Sequence, residues 1–352
     1  MLYILYFLSA FIISMVLTVI VQKISLRLKI VDNPDNRRKK HKSSVALLGG
    51  MAIFISFWTV IAYIAFFTNI LGNNIHSVQL ISVFVSTLLL VIVGAVDDKK
   101  NLSPLFRIIV SAIAAGLVII GGVGLDGITN PLGGVIKLDF WQISFGGQGT
   151  LWVIADLLVF LWLMGMMYTT KILDGLDGLT TGIVLIGALM IFFLSNTAKF
   201  YQPDTAMIAL VLAGVCLGFL VFNFNPAKIF LGEGGGLFLG FMLGILAIIA
   251  GGKIATALLV MAIPIIDLIW VIYRRIKEKR GVFSGDRLHL HFRLVDIGLS
   301  QRFTVLLLYL VSFVFGITTL ILPSKFKMLI LVLLAIFFLI VERAVGKKEK
   351  TK

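Results

Sequence analysis

The chain has 352 residues, 59% hydrophobic and only 14% charged, and 31 Lys and Arg against 17 Asp and Glu give it a net charge of +14. One soluble core of this length cannot hide so much apolar surface, and disordered chains are poor in apolar residues. The 7 Pro, 34 Gly without a period and single cysteine (Cys216) exclude collagen-like and disulfide-stapled classes, which leaves an all-α polytopic membrane protein, read as one domain over 1–352.

Eleven apolar segments are predicted as membrane helices, near 1–22, 46–68, 78–96, 105–125, 151–168, 181–198, 205–222, 237–251, 255–273, 302–322 and 327–343. The first is too long for a signal peptide and lacks a small-residue cleavage site, so it reads as a retained anchor. Of the Lys and Arg residues, all but Lys137, Lys199, Lys253, Lys325 and Lys327 flank the connections after segments 1, 3, 5, 7 and 9 or the C-terminal tail. The positive-inside rule therefore places those connections and the C-terminus in the cytoplasm and the N-terminus outside. The basic excess follows from this bias and from attraction to anionic head groups; with no soluble domain to carry it, nucleic-acid binding is a poor alternative. The longest outer connection, 126–150, carries Gly133-Gly134, Leu138-Asp139-Phe140 and Gly146-Gly147, which suggests a small external β-hairpin or an unstructured connector.

The inner connections hold most of the unusual residues. The first runs from Val31-Asp32-Asn33-Pro34 through Arg37, Arg38, Lys39, Lys40, His41 and Lys42 to Gly49-Gly50. It serves either as a topology signal or as a cationic patch for phosphates. The second holds Asp97-Asp98, adjacent carboxylates at a helix C-terminus whose dipole opposes them, so a cation or a proton is expected there. In the third, Lys171-Ile172-Leu173-Asp174-Gly175-Leu176-Asp177-Gly178, the i, i+3 spacing would put Asp174 and Asp177 on one helical face. In the fourth, Asn223 and Lys228 precede Gly232-Glu233-Gly234-Gly235-Gly236, which opens a helix whose free N–H groups favour an anion. The fifth, a long loop over 274–301, carries Arg287, His289, His291 and Arg293, suited to a diphosphate; the two His share a face only if the chain is extended. Acidic pairs beside a basic rim match the needs of phosphoryl transfer at a membrane surface. A secondary transporter would instead carry charges at mid-membrane and half-to-half repeats. Here nearly all the acidic groups lie at cytoplasmic helix ends, with Asp156 and Asp267 as exceptions within the spans.

These motifs resemble those of the polyprenyl-phosphate N-acetylhexosamine-1-phosphate transferases of the glycosyltransferase 4 superfamily, with the phospho-N-acetylmuramoyl-pentapeptide translocase as a more distant cousin. The likeness covers about 30–343 and rests on Asp32, Pro34, Arg37, His41, Gly49-Gly50, Asp97-Asp98, Asp174-Gly175-Leu176-Asp177-Gly178-Leu179, Asn223, Pro226-Ala227-Lys228, Gly232, Pro264, Asp267 and Asp286-Arg287 with His289-Leu290-His291. It implies that a polyprenyl (undecaprenyl) phosphate attacks a UDP-sugar, UDP-GlcNAc first among them, at the cytoplasmic face of the cell membrane, a first step of envelope polysaccharide synthesis. A homodimer is compatible with it. The resemblance assigns Asp97, Asp98, Asp174 and Asp177 to catalysis and Arg37, His41, Lys171, Asn223, Lys228, Arg287, His289 and His291 to substrate binding. It assigns Glu233, Asp98 and Asp174 to Mg²⁺.

Several positions depart from the family pattern. Tyr168 and Lys171 stand where two Asn are usual, Glu233 and Gly236 where Asp and Ser are usual, Ser44, Ala46 and Leu47 near a usual Pro and Arg, and Phe292 where a further His is common. The resemblance places the metal mainly on the positions of Lys171 and Glu233, and a protonated Lys offers no lone pair. Two expectations follow. A Lys171–Glu233 ion pair takes the place of the metal, giving a weak or inactive relative that binds lipid phosphate or a partner. Alternatively, Asp97, Asp98, Asp174 and Asp177 hold the ion in a shifted position.

Overall fold

A computed structural model describes residues 1–34, 44–72, 75–125, 127–130, 134–138, 141–144, 150–251, 254–279, 281 and 288–350. Helices dominate: α1 (Leu2–Arg27), α2 (Gly49–Phe67), α3 (Ser77–Lys100), α4 (Pro104–Ile120), α5 (Val153–Leu173), α6 (Leu179–Ser195), α7 (Pro203–Asn223), α8 (Gly232–Ile249), α9 (Ile254–Val260), α10 (Ala262–Lys277), α11 (Leu290–Asp296), α12 (Gln301–Ile321) and α13 (Ser324–Lys350). Each of the eleven apolar segments coincides with helix. Seven described helices are long and apolar enough to cross a bilayer, and up to eight if the α9–α10 pair is one span; α4 and α6 are shorter apolar helices. The protein is a polytopic helical membrane protein.

Helices α7 and α8 form the centre, with nearly every side chain buried. Helix α1 packs along α7, α6 on its other side, and α3 and α5 flank α8. The α1–α7 seam is close because Gly214 and Gly218 face the α1 backbone, where Ser14 Oγ donates to the Val215 carbonyl at 2.8 Å. Lipid-length helices associate through such small-residue contacts, because apolar burial alone discriminates little from lipid.

The ninth segment is not a single straight helix. It breaks at Met261, and α9 and α10 meet at 76°. Pro264 lies in the first turn of α10, where its missing N–H costs nothing and its ring obstructs continuation from the preceding turn. The stretch 274–301, expected as loop, is helical at both ends: α10 runs on to Lys277, and Leu290–Asp296 form α11. The 126–150 connection holds two antiparallel hairpins rather than one, β3 (Gly127–Thr129) with β4 (Val135–Lys137) and β5 (Gln142–Ser144) with β6 (Thr150–Trp152). Asp156, the apparent intramembrane acid, accepts the Trp152 N–H at 2.9 Å and so closes the start of α5.

At the opposite end from these hairpins the inner connections converge. Two short strands, β1 (Val31–Asp32) and β2 (Val45–Ala46), pair with each other. Ala46 also bridges Ile229. The Phe230 N–H donates to the Ala46 carbonyl at 2.8 Å, and the N–H groups of Gly49 and Gly50 donate to the carbonyls of Phe230 and Leu231. The first and fourth connections are thus one backbone-paired unit. A Cβ on Gly50 would lie 2.4 Å from the Gly235 nitrogen, and one on Gly94 would lie 2.2 Å from the Gly234 Cα. The glycine run opening α8 therefore lets α2 and α3 touch its backbone.

Candidate active site

The paired carboxylates of α3 have separate fates. Asp97 faces inward and is buried. One of its oxygens accepts the Leu102 N–H at 2.7 Å and the other meets Arg107 Nη1 at 3.1 Å. Ser103 caps α4 and Pro104 occupies its first turn, so a tight connection lays Arg107 across from Asp97. Asp98 points toward α8 and accepts the Glu233 N–H at 3.0 Å. The anion at this helix start is thus a side chain of the protein itself. Gly232 adopts φ +74°, and any Cβ there would meet Asp98 Oδ2 at 2.4 Å; both conditions call for glycine.

Glu233 lies between two cations. Lys171 Nζ makes a short contact with its Oε1, and Arg107 Nη1 approaches the same oxygen at 3.6 Å. Lys171 also sits over the Tyr168 ring, 5.4 Å from its centroid, a cation–π contact one turn back along α5. The pairing expected from the sequence is present, with Arg107 as an unexpected third member.

Asp174 and Asp177 do not share a helical face. Helix α5 ends at Leu173, residues 174–178 form a turn, and Gly178 at φ +81° starts α6. Left-handed backbone at Gly178 closes the turn before a helical repeat can establish itself. Asp177 Oδ2 accepts from Asn225 Nδ2 at 2.8 Å and the Ala227 N–H at 3.1 Å, tying the third connection to the fourth. Asp174 has no side-chain hydrogen bond or ion pair among the described residues. Burial, then the charges of Asp98, Asp177 and Glu233, raise its carboxyl well above the usual carboxylate range.

Asn223 is buried, accepts from Thr181 Oγ1 at 3.0 Å and donates to the Ile229 carbonyl at 2.9 Å, so both ends of its amide hold the fourth connection. Lys228 is exposed at that connection's tip. His289 and His291 stack, with rings 5.8 Å apart and 9° from parallel. They share a face because His289 is extended and caps α11. His289 Nδ1 lies 2.8 Å from Asp267 Oδ2, and Asp267 Oδ1 accepts the Leu290 N–H at 2.9 Å. A Cβ on Gly175 would lie 2.6 Å from His291 Nε2 and 2.4 Å from Phe292, so the His segment packs against the Asp174–Asp177 turn. A buried Arg293–Glu342 contact ties α11 to α13. Arg37, His41 and Arg287 lie outside the described residues.

The structure therefore brings Asp97, Asp98, Lys171, Asp174, Asp177, Asn223, Glu233, His289 and His291 to one end of the bundle. Sequence reading missed Arg107, Asn225 and the Arg293–Glu342 tie. For Arg107 a signal existed in the Ser103-Pro104 helix start a few residues beyond Asp97.

A metal centre on Glu233 does not fit these residues. Its carboxylate already faces an ammonium and a guanidinium, and neither Lys171 nor Arg107 can ligate while protonated. Among the described residues no three His, Cys, Asp or Glu side chains are placed to share an ion.

A model of glycosyl transferase family 4 matches residues 80–251, the stretch from α3 through α8 that carries Asp97, Asp98, Asp174, Asp177 and Glu233, with Asn223 and Lys228 as well. A Bacillus subtilis protein described as a probable undecaprenyl-phosphate N-acetylglucosaminyl 1-phosphate transferase is 31% identical over 352 residues, spanning 96% of this chain and 91% of its own. The chain belongs to glycosyl transferase family 4. Other family relatives include a Mycobacterium leprae decaprenyl-phosphate N-acetylglucosaminephosphotransferase, 32% identical across 86% of this chain and 79% of its own. A Haemophilus influenzae undecaprenyl-phosphate alpha-N-acetylglucosaminyl 1-phosphate transferase is 31% identical across 87% and 82%.

Proposed function

We propose that this family 4 member transfers N-acetylglucosamine 1-phosphate from UDP-GlcNAc to a polyprenyl phosphate at the cytoplasmic face of the cell membrane. The carrying observation is that carboxylates from α3, α5 and α8 meet the His pair of α11 at one end of a membrane bundle. The names of the relatives support the substrates, and the loop charge bias supports the face. In the reaction a lipid-phosphate oxygen attacks the β-phosphorus of the UDP-sugar. The new P–O bond forms as the bond from the β-phosphorus to the bridging oxygen breaks. UMP leaves with that oxygen, and lipid-diphospho-sugar remains.

The chain's own groups supply positioning and charge, the main needs of phosphoryl transfer. Asp174, with its raised affinity for a proton and no side-chain partner among the described residues, is suited to take the proton of the lipid phosphate. Asp98 and Asp177 fix the two loops around it. Lys171 and Arg107 offer N–H donors to the diphosphate, and Lys228 adds charge at the rim. His289, held by Asp267, and His291 line the wall opposite α8. Arg37, His41 and Arg287 belong to the same reading as further phosphate contacts, and a homodimer as its assembly.

The test is UMP release from UDP-GlcNAc by purified protein with undecaprenyl phosphate. Turnover lost in Asp174→Asn supports the proposal; no UMP from any of several UDP-sugars overturns it. A second reading, a relative that holds the lipid phosphate or a partner without turnover, is favoured by the Lys171–Glu233 pair, because an ammonium is no Lewis acid. Silence in that assay together with retained binding of the lipid phosphate selects it.

A further inference from the structure

Of Asp97, Asp98, Asp174, Asp177 and Glu233, four already accept a hydrogen bond from the protein or face one of its cations through at least one oxygen. Asp97 is held by Arg107 and the Leu102 N–H, Asp98 by the Glu233 N–H, Asp177 by Asn225 and the Ala227 N–H, and Glu233 by Lys171 and Arg107. Two side-chain cations stand inside the acidic ring. Neither is spent. Lys171 is partly exposed and carries three donors, of which Glu233 takes one. The Arg107 Nε–H is buried without a partner. A divalent ion entering here would meet two resident cations and four carboxylates already committed through at least one oxygen to an N–H group or a cation of the protein. A nucleotide diphosphate would meet the remaining Lys171 donors, held in place by Glu233 and the Tyr168 ring, and the partly exposed Arg107 guanidinium held by Asp97.

We infer that Lys171 and Arg107 are the resident positive charge of this site, and that the chain binds its nucleoside-diphosphate sugar without a divalent ion. This rests on the proposed transfer reading only for the identity of the ligand; the exclusion of the ion stands on the side chains alone. Glu233 acts as a positioning residue that aims the Lys171 ammonium rather than as a metal ligand.

Two measurements on the full chain in detergent test it. Mn²⁺ titration followed by electron paramagnetic resonance should show no stoichiometric site in the natural chain, with or without nucleotide. It should show one Mn²⁺ per chain in the Lys171→Asn, Glu233→Asp double variant. Calorimetric binding of UDP-GlcNAc should change less than about twofold between EDTA and Mg²⁺, and Lys171→Met should weaken it about tenfold or more. A stoichiometric Mn²⁺ site in the natural chain that Glu233→Gln removes overturns the inference. So does nucleotide binding that EDTA abolishes. The Mn²⁺ titration of the natural chain needs no variant to fold and no turnover. Absent UMP release therefore counts against the transfer reading, while the Mn²⁺ result alone decides the cation.

Discussion

Two clusters of paired charge lie at this end of the molecule, and they are built differently. On the α3–α5–α8 side, Lys171, Arg107, Asp97 and Glu233 share partners, and the Lys171 and Arg107 side chains keep 23% of their surface exposed. On the α10–α11–α13 side, the Asp267–His289 and Arg293–Glu342 contacts are only 5–6% exposed. A shared, partly wet network gives up one contact at low cost, since another member takes over, and its donors can turn to a ligand. A dry pair has no substitute, so losing one member strands the other. The first side keeps donors that can turn, while the second holds the His segment still.

The largest effect should therefore come from the dry side. Arg293→Ala leaves Glu342 buried and unpaired, a cost of about 3–5 kcal/mol, visible as a large fall in thermal unfolding temperature in detergent. The Arg293→Met, Glu342→Leu double change should recover most of it. Equal losses in the single and double variants would erase the distinction between the two sides.

Next comes the seam beneath the wet side. Gly94→Ala pushes a methyl into the Gly234 backbone and should cost about 1–3 kcal/mol through overpacking. Because Asp98 lies one turn further along α3, UMP release should fall more than stability does. Stability lost with turnover intact would detach the seam from the site.

Lys171→Met should then cost about 1 kcal/mol or less in stability, because Arg107 Nη1 remains 3.6 Å from Glu233. An unfolding loss matching that of Arg293→Ala would break the contrast between wet and dry.

The smallest effect is a slope. The Asp174 carboxyl is raised in the folded state, so the folded chain holds this proton more tightly than the unfolded chain. The contribution is complete below the ordinary carboxylate range and is lost as pH climbs through the raised value. Unfolding temperature should decline over that interval, and Asp174→Asn should flatten the decline. An unchanged profile in the variant would remove Asp174 as its source.

Much of this was legible in the residues. Apolar length alone marked the helical segments, and the Lys171–Glu233 pairing followed from two coupled departures from the family pattern. What stayed hidden was mostly tertiary. The spacing of Asp174 and Asp177 suggested a helical face, but Gly178 in left-handed backbone made a turn. The α8 glycines looked like a phosphate cradle, yet they receive Gly50 and Gly94, contacts between residues far apart in the chain. Arg107 was counted as loop charge because its value depends on α3 and α4 folding back on each other. The break at Met261 had only Pro264 as a local sign.

The backbone pairing of Ala46 with Phe230 has a consequence for how the protein is made. Synthesis delivers α1–α4 well before α8. During that interval the Ala46 carbonyl lacks its later donor, the Gly49 and Gly50 amides lack their acceptors, and Arg107 has Asp97 but not Glu233. A nascent chain halted between α4 and α8 holds a half-built pocket with open backbone groups. Threading of α8 into the bilayer is thus the event that converts a row of inserted helices into a working enclosure.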